Sequence, residues 1–449
     1  MKTIIEHEKY DTKMESSDWR FSAAIIGLMQ YFDYHDIEYD IDDDYILYNS
    51  SDITEEKYLE FVEYKYAEEL HHKTIEIILS NEEISDEQIK LVNDKLKANN
   101  ILKKVFSDVK FDNSNKEIIL DVISENRYEL IKETYRNKNN LYKNYANTNL
   151  LFKKPNDYCR LVGYYIDSGK KGKSTGFKFN TNSFVATDVE EFDFIPFSFG
   201  TTRESFFIND NYTIKRLKVS NEILSRRIAK DSEENSGKKD SRQALFKSII
   251  ETADFINRDV EVIVKDSSKE YFETLYISKK SIDIFKKFKV KKIEYSSFCF
   301  SYKITEKYYI NIQKEVTDSI LNNVLLDKLI ELFLKKKDWG SLVSSLIKIN
   351  TLIRSDETME DRLKGAYACA KKVAKSLETN KLESYRQKLT SSIIFKDYDR
   401  ALQILLQLSN YSKIEFGFVY DLYDDFEENK DLIYTFTNAL TKNNTENNK

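Results

Sequence analysis

Over the first fifty residues the apolar positions follow helical spacing and then switch to alternation. Phe21, Ala24, Ile25, Leu28 and Phe32 mark the buried face of one helix, with Ser17 and Asp18 as N-cap candidates. Gly27 interrupts that helix where glycine costs roughly 1 kcal/mol relative to alanine, so close packing against another backbone is the expected reason for it. Ile37, Tyr39 and Ile41 then alternate with Glu38, Asp40 and Asp42. A polar Asp42–Asp44 turn leads into Tyr45–Tyr48, and the whole reads as a β-hairpin. Helical stretches are expected over Glu55–Ser80 and Asp86–Phe106, and a loop over Asn139–Asn149.

From about residue 158 short runs of period two predict strands. They fall at Arg160–Ile166, Gly176–Asn180, Phe184–Asp188, Phe192–Phe199, Ser205–Ile208, Ile214–Val219, Val260–Lys265, Glu273–Ser278, Val290–Tyr295 and Tyr308–Gln313. Helices near 220–230 and 241–257 flank a polar insertion, Asp231–Arg242. After about residue 315 only helical spacing remains, through 316–334, 339–353, 360–377, 380–394, 397–411 and 430–442. The expected fold class is α+β: a mixed helical and β-sheet body followed by an all-α C-terminal helical bundle. Residues 1–150 form an acidic, mainly helical region with a hairpin, 151–314 a basic β-rich region completing the body, and 315–449 the bundle.

Composition adds charge segregation to this picture. The net charge of −6 is not that of a nucleic-acid binder, but it is unevenly spread. Residues 1–150 hold 19 Lys and Arg against 32 Asp and Glu, whereas residues 151–310 hold 30 against 23. Polyanion contacts are therefore expected in the middle third, and the acidic third is expected to face solvent or a basic protein partner. No apolar run approaches the ~18 residues of a membrane span, and no signal peptide is expected. Cys159, Cys299 and Cys369 stand far apart, which fits a reducing cytoplasm.

The basic third holds two candidate clusters. Gly163–Lys178 contains Gly172-Lys173-Ser174, the end of a P-loop. The glycine a P-loop requires five positions earlier is Asp167, an anion aimed at the would-be phosphates, and a strand rather than a helix follows. Nucleotide hydrolysis is rejected. What remains is a hairpin tip in which Gly169, Gly172 and Gly176 let backbone approach a duplex while Lys170, Lys171, Lys173 and Lys178 reach phosphates, with Ser174 beside them. The second cluster is Lys215, Arg216, Lys218, Arg226, Arg227 and Lys230, opposed by Glu222 and extended by Lys238, Lys239 and Arg242. A third run, Lys286–Lys292, alternates with Phe288 and Val290 as one face of a strand.

Chemistry is sparse elsewhere. The histidines are His7, His35, His71 and His72. His35-Asp36 lacks the further histidines that a phosphohydrolase of that motif needs. Glu68 and His72, four apart on a helix, supply two ligands where a metal site needs more. No catalytic residue, metal or cofactor is expected.

Three stretches carry a family resemblance: Asp18-Trp19-Arg20-Phe21-Ser22-Ala23-Ala24-Ile25-Ile26-Gly27-Leu28, then Phe194-Ile195-Pro196-Phe197-Ser198-Phe199-Gly200, then Tyr385–Leu389 with Asp399–Leu405. Together they resemble the large subunit of type I CRISPR surveillance complexes (Cascade), in the Cas-eight group of subtypes I-A and I-B. Some members carry paired Cys-x-x-Cys motifs for zinc. This chain does not, so that site is not expected here. The resemblance implies a non-catalytic subunit in antiviral defence that recognises a PAM in double-stranded DNA, supports R-loop formation and presents a docking surface for the helicase-nuclease. It implies crRNA, backbone and crRNA-end-capping subunits as partners, together with a small helical subunit that internal translation, from Met359 or from a non-methionine codon upstream of it, would supply. Under it, Lys170, Lys171 and Lys173 sense the PAM duplex, and the second cluster holds the crRNA 5′ end or the target-strand backbone. The residues themselves leave two other classes open: a defence-associated nuclease with a divergent metal site, and a scaffold that binds only protein.

Overall fold

Asp18 starts the first helix, α1 (Trp19–Tyr34), by accepting the Arg20 amide at 2.8 Å. Twelve of the sixteen residues of α1 are buried, so it is a core helix wrapped on all sides rather than a helix with one apolar face. Gly27 is what allows this. A Cβ placed there would lie 2.1 Å from the Phe194 carbonyl oxygen.

The computed structural model describes residues 1–164, 187–200, 202–234, 241–252, 258–356 and 358–442. The chain folds as two units. One comprises Met1–Ser248 with Val260–Tyr276, the other Ile249–Asp259 with Ile277–Lys449. The fold is α+β, with small sheets in the first unit and helices dominating the C-terminal half.

In the first unit, strands β1 (Lys2–Ile4), β2 (Thr12–Glu15), β3 (Asp40–Ile41) and β4 (Tyr45–Tyr48) form an antiparallel sheet in the order β1-β2-β4-β3. Thr12, Met14, Ile46 and Tyr48 point inward from it. The hairpin matches the sequence reading, with Ile41 opposite Ile46. The expected Glu55–Ser80 stretch is two helices, α2 (Glu55–Lys65) and His71–Leu79, and the Asn139–Asn149 loop contains a buried helical turn, Tyr142–Tyr145. A second sheet runs β5 (Glu204–Asn209), β6 (Val260–Asp266), β7 (Glu273–Ile277), with β5 and β6 antiparallel.

Two expected strands are helical, and a third straddles the end of a helix. Phe192–Phe199 is a 3₁₀ turn, Glu190–Phe194, followed by a one-turn helix, Ile195–Ser198. Pro196 lacks the amide a ladder would need, and the aromatic side chains are buried against α1 instead. Ile214–Val219 opens a 21-residue helix, α3 (Ile214–Glu234). Val290–Tyr295 spans the end of helix Lys279–Lys291, where Ile282, Phe285 and Phe288 recur at helical spacing and face inward. Within Arg160–Ile166 the described part forms a single bridge, Ala146 to Leu161. Gly176–Asn180 lies outside the described residues, as do the first three positions of Phe184–Asp188.

A buried ion network ties the first unit together. Arg160, fully buried, donates through Nε to Asp188 Oδ1 at 3.0 Å and through Nη1 to Asp193 Oδ1 at 2.7 Å. Asp193 also accepts from the Tyr142 hydroxyl at 2.7 Å and the Phe152 amide at 3.1 Å. Each buried charge is thus paired and hydrogen-bonded, the condition under which such charges are tolerated.

The second unit centres on helix Lys430–Ala439, which packs against helices Gly340–Arg354 and Met359–Ser376. The expected 316–334 helix is two helices, Ile312–Leu321 and Asp327–Leu334, and a further helix, Phe418–Asp424, was not anticipated.

Candidate nucleic-acid interface

The second basic cluster lies on one helix. Thr213 caps α3, its hydroxyl accepting the Arg216 amide at 3.2 Å. Ile214, Leu217 and Leu224 are buried along the inner face. Asn221 fastens that face to the edge strand β5. It accepts the Ile208 amide and donates to the Ile208 carbonyl, both at 2.9 Å, so it supplies the partners a neighbouring strand would otherwise provide. The sequence pattern predicts a helix near 220–230 and a strand over the turns before it, Ile214–Val219; the helix in fact begins at Ile214.

With the inner face so held, the cations turn outward. At 100° per residue Lys215, Arg226, Lys230, Arg216 and Arg227 fall within about 120° of arc, spread over ~22 Å of helix. Lys215, Arg226 and Lys230 are exposed, while Arg216 and Arg227 are half-buried. Val219, 50% exposed, lies among them. Among the described residues no carboxylate pairs with Lys215 or Arg226. Arg216 sits 3.5 Å from Asp210 and covers the Tyr212 ring, whereas Lys218 lies off the stripe and pairs with Asp33 at 3.0 Å. A row of cations of this length can follow the backbone of a nucleic acid, each phosphate it neutralises releasing a counterion.

The acidic hairpin meets the start of this helix. The Asp43 carbonyl accepts the Ile214 amide at 2.7 Å, which places the Asp42–Asp44 turn at the N-terminus of α3. A cleft of about 390 Å³ opens beside the helix. Its floor is Ile26 and Met29 of α1, and Gln30, Lys65, Ser198, Lys218, Asn221, Glu222, Ser225 and Arg226 complete it. Lys65 donates to Gln30 Oε1 at 2.7 Å, a neutral partner that leaves its charge uncompensated. Lys65, Gln30 and Ser225 were not singled out from the sequence, because only the fold brings α1, α2 and α3 together.

Other expected sites fare differently. Gly169, Lys170, Lys171, Gly172, Lys173, Ser174 and Lys178 lie outside the described residues, as do Lys238 and Lys239. Arg242 belongs to helix Ser241–Thr252. The lysines of 286–292 are on a helix rather than a strand face, and Lys291 pairs with Glu360. His72 is buried and meets Glu63 at 2.8 Å, not Glu68. His35 Nε2 meets the Lys57 carbonyl at 2.8 Å. Of the C-terminal resemblance motif, Arg386 is buried and donates to the Leu334 carbonyl at 2.8 Å, satisfying the end of helix Asp327–Leu334. Among the described residues no group of three metal-ligating side chains occurs, and no helix is long and apolar enough to cross a membrane.

No curated protein and no solved structure matches this chain. A family model does, that of CRISPR-associated protein Csx8, and it covers residues 10–440. The chain therefore belongs to the CRISPR-associated Csx8 family.

Proposed function

We propose that this protein is a non-catalytic large subunit of a type I CRISPR surveillance complex, and that the outward face of α3 holds the backbone of a nucleic acid bound by that complex. The observation that carries the reading is the row of Lys215, Arg216, Arg226, Arg227 and Lys230 on one helix face, in a chain of CRISPR-associated family. Phosphate contacts of this kind position a nucleic acid without reading its sequence. PAM reading falls to the Gly169–Ser174 segment, and crRNA, the backbone and end-capping subunits and the helicase-nuclease are the expected partners. These roles rest on the resemblance.

The test compares wild type with a K215E/R226E/K230E variant in the complex assembled with crRNA. Binding to a PAM-bearing duplex is measured across a salt series. Loss of three phosphate contacts lowers the slope of log K against log salt by about 3 and weakens binding on all sequences alike. An unchanged slope and affinity would remove α3 from the interface.

A further inference from the structure

The cleft beside α3 is the size of a small-ligand pocket, at about 390 Å³. It is neither a plain anion hole nor an apolar slot. Ile26 and Met29 give it an apolar floor, Lys65 and Arg226 bring positive charge to its rim against the one carboxylate of Glu222, and Ser225 adds a hydroxyl. Lys218 is engaged by Asp33, so the attraction comes from the other two cations, which outnumber the Glu222 carboxylate. Arg226 belongs both to the cleft and to the cation row. A ligand that follows the row with its charged backbone therefore passes the mouth of the cleft.

An apolar floor and cations at the mouth suit one nucleotide unit, with the base inward and its phosphates on the rim. A paired and stacked base cannot enter. Beyond the cleft, Tyr34 lies one turn past Gln30 on α1, and Tyr64 directly precedes Lys65. Their rings stack at 4.4 Å and remain 40% and 63% exposed. Exposed aromatic faces of this kind receive bases irrespective of sequence. Burial, with Glu60 and Glu63 next in effect, raises the Tyr34 phenol, so the surroundings of this pair favour an uncharged base face over a phosphate.

We propose that this cleft accepts one unstacked nucleotide of a single strand whose backbone runs along α3, with the Tyr34–Tyr64 pair stacking a neighbouring base. This rests on the reading of α3 as a backbone-holding face and gives it a preference for single-stranded over duplex nucleic acid.

The probes are a fluorescein-labelled 12-nucleotide single strand and a 12-base-pair duplex of the same sequence, each titrated with the full-length chain by anisotropy. Ser225→Trp fills the cleft from an exposed position, and Lys65→Gln removes a rim charge without bulk. The expected result is at least a tenfold loss of single-strand affinity for S225W, a severalfold loss for K65Q, and duplex affinity within twofold of wild type for both. Unchanged single-strand affinity in S225W overturns the cleft, and so does an equal loss on both probes. If K215E/R226E/K230E alters neither probe, the α3 reading itself fails. Arg226 is shared by the two surfaces, but S225W leaves every cation of the row in place, so an unchanged S225W overturns the cleft alone while an unchanged triple variant overturns the α3 reading.

Discussion

Replacing Gly27 by alanine adds one methyl group to the most tightly packed point of the first unit. Alanine gains about 1 kcal/mol over glycine inside a helix. Against that gain, its Cβ would sit 2.1 Å from the Phe194 carbonyl oxygen and 2.8 Å from the carbonyl carbon. Both are backbone atoms, so no side-chain rotation relieves the clash. Nor is the backbone free to retreat. The preceding residue, Asp193, is held by Arg160, Tyr142 and Tyr58, and the following helix begins with Ile195 and Pro196. Overpacking a filled site costs about 3 kcal/mol at the upper end of the usual range, so the net loss is roughly 2 kcal/mol.

The two tryptophans make the assay specific. Trp19 lies in the first unit, buried against Phe272 and donating to the Tyr164 hydroxyl, while Trp339 lies in the second unit, stacked on Phe300. In a W339F background Trp19 fluorescence follows the first unit alone. With a urea dependence of ~2 kcal/mol per molar, G27A lowers the midpoint by about 1 M. Gly365 supplies the control. It is also mid-helix, but nothing lies within 4 Å of the Cβ it would acquire. G365A therefore raises the midpoint of the Trp339 signal by about 0.5 M, the propensity gain acting alone. An unchanged or higher midpoint for G27A would refute the claim that α1 is pressed against the Phe194 carbonyl.

Two further predictions concern buried charge. R160M leaves Asp188 and Asp193 buried without their cation and costs about 3–5 kcal/mol, read as loss of the Trp19 transition; a variant within 1 kcal/mol of wild type would show the network to be dispensable. In the second unit, burial raises the Asp431 carboxyl to about 7, with the neighbouring Asp327 acting in the same direction and the Asn350 amide, 3.0 Å away, opposing. The folded value lies above that of a free carboxyl, so the folded unit binds the proton more tightly. Stability therefore falls as pH rises from about 4 to 7, by at most ~4 kcal/mol, and is level above that window. The wild-type minus D431N difference in the Trp339 midpoint should follow this curve, and a flat difference would refute it.

Local signals made much of the fold legible. The Asp18 cap, the α1 core positions and the close approach at Gly27 follow from residue type and spacing, and so does the Ile41–Ile46 hairpin pairing. The C-terminal helices from Gly340 to Ser412 begin and end within a residue of their expected limits, because each carries an uninterrupted apolar stripe. The strand errors share one cause. Short apolar runs such as Phe192–Phe199 and Ile214–Val219 fit either period, and tertiary context decides between them. For the first, that context is Pro196 and the α1 surface. For the second it is Asn221, which reads as a break in sequence yet is the residue that fastens the helix to β5. At the interface, residue type revealed the cations but not their direction.

Direction is what turns composition into a binding surface. The basic third owes its charge partly to residues that never meet a ligand. Arg160 is fully buried, and Lys265 is 1% exposed with its ammonium lowered by burial to about 8, bound to Asn144 and two carbonyls. Lys218, at the edge of the cluster, is turned to Asp33. A count of lysines and arginines therefore overstates the positive field of this region and misplaces it. Among the described residues the face of α3 gathers outward cations into one row, and that face is itself graded. Its first turn lies against the acidic Asp42–Asp44 hairpin, which draws down the potential around Lys215 and Arg216. Arg226, Arg227 and Lys230, two to four turns further along, escape that influence at ordinary ionic strength, where screening acts over ~10 Å. The acidic opening segment and the basic helix thus form one polarised surface. Under the function proposed above, a polyanion would settle on it toward the Arg226 end, which is where the cleft opens.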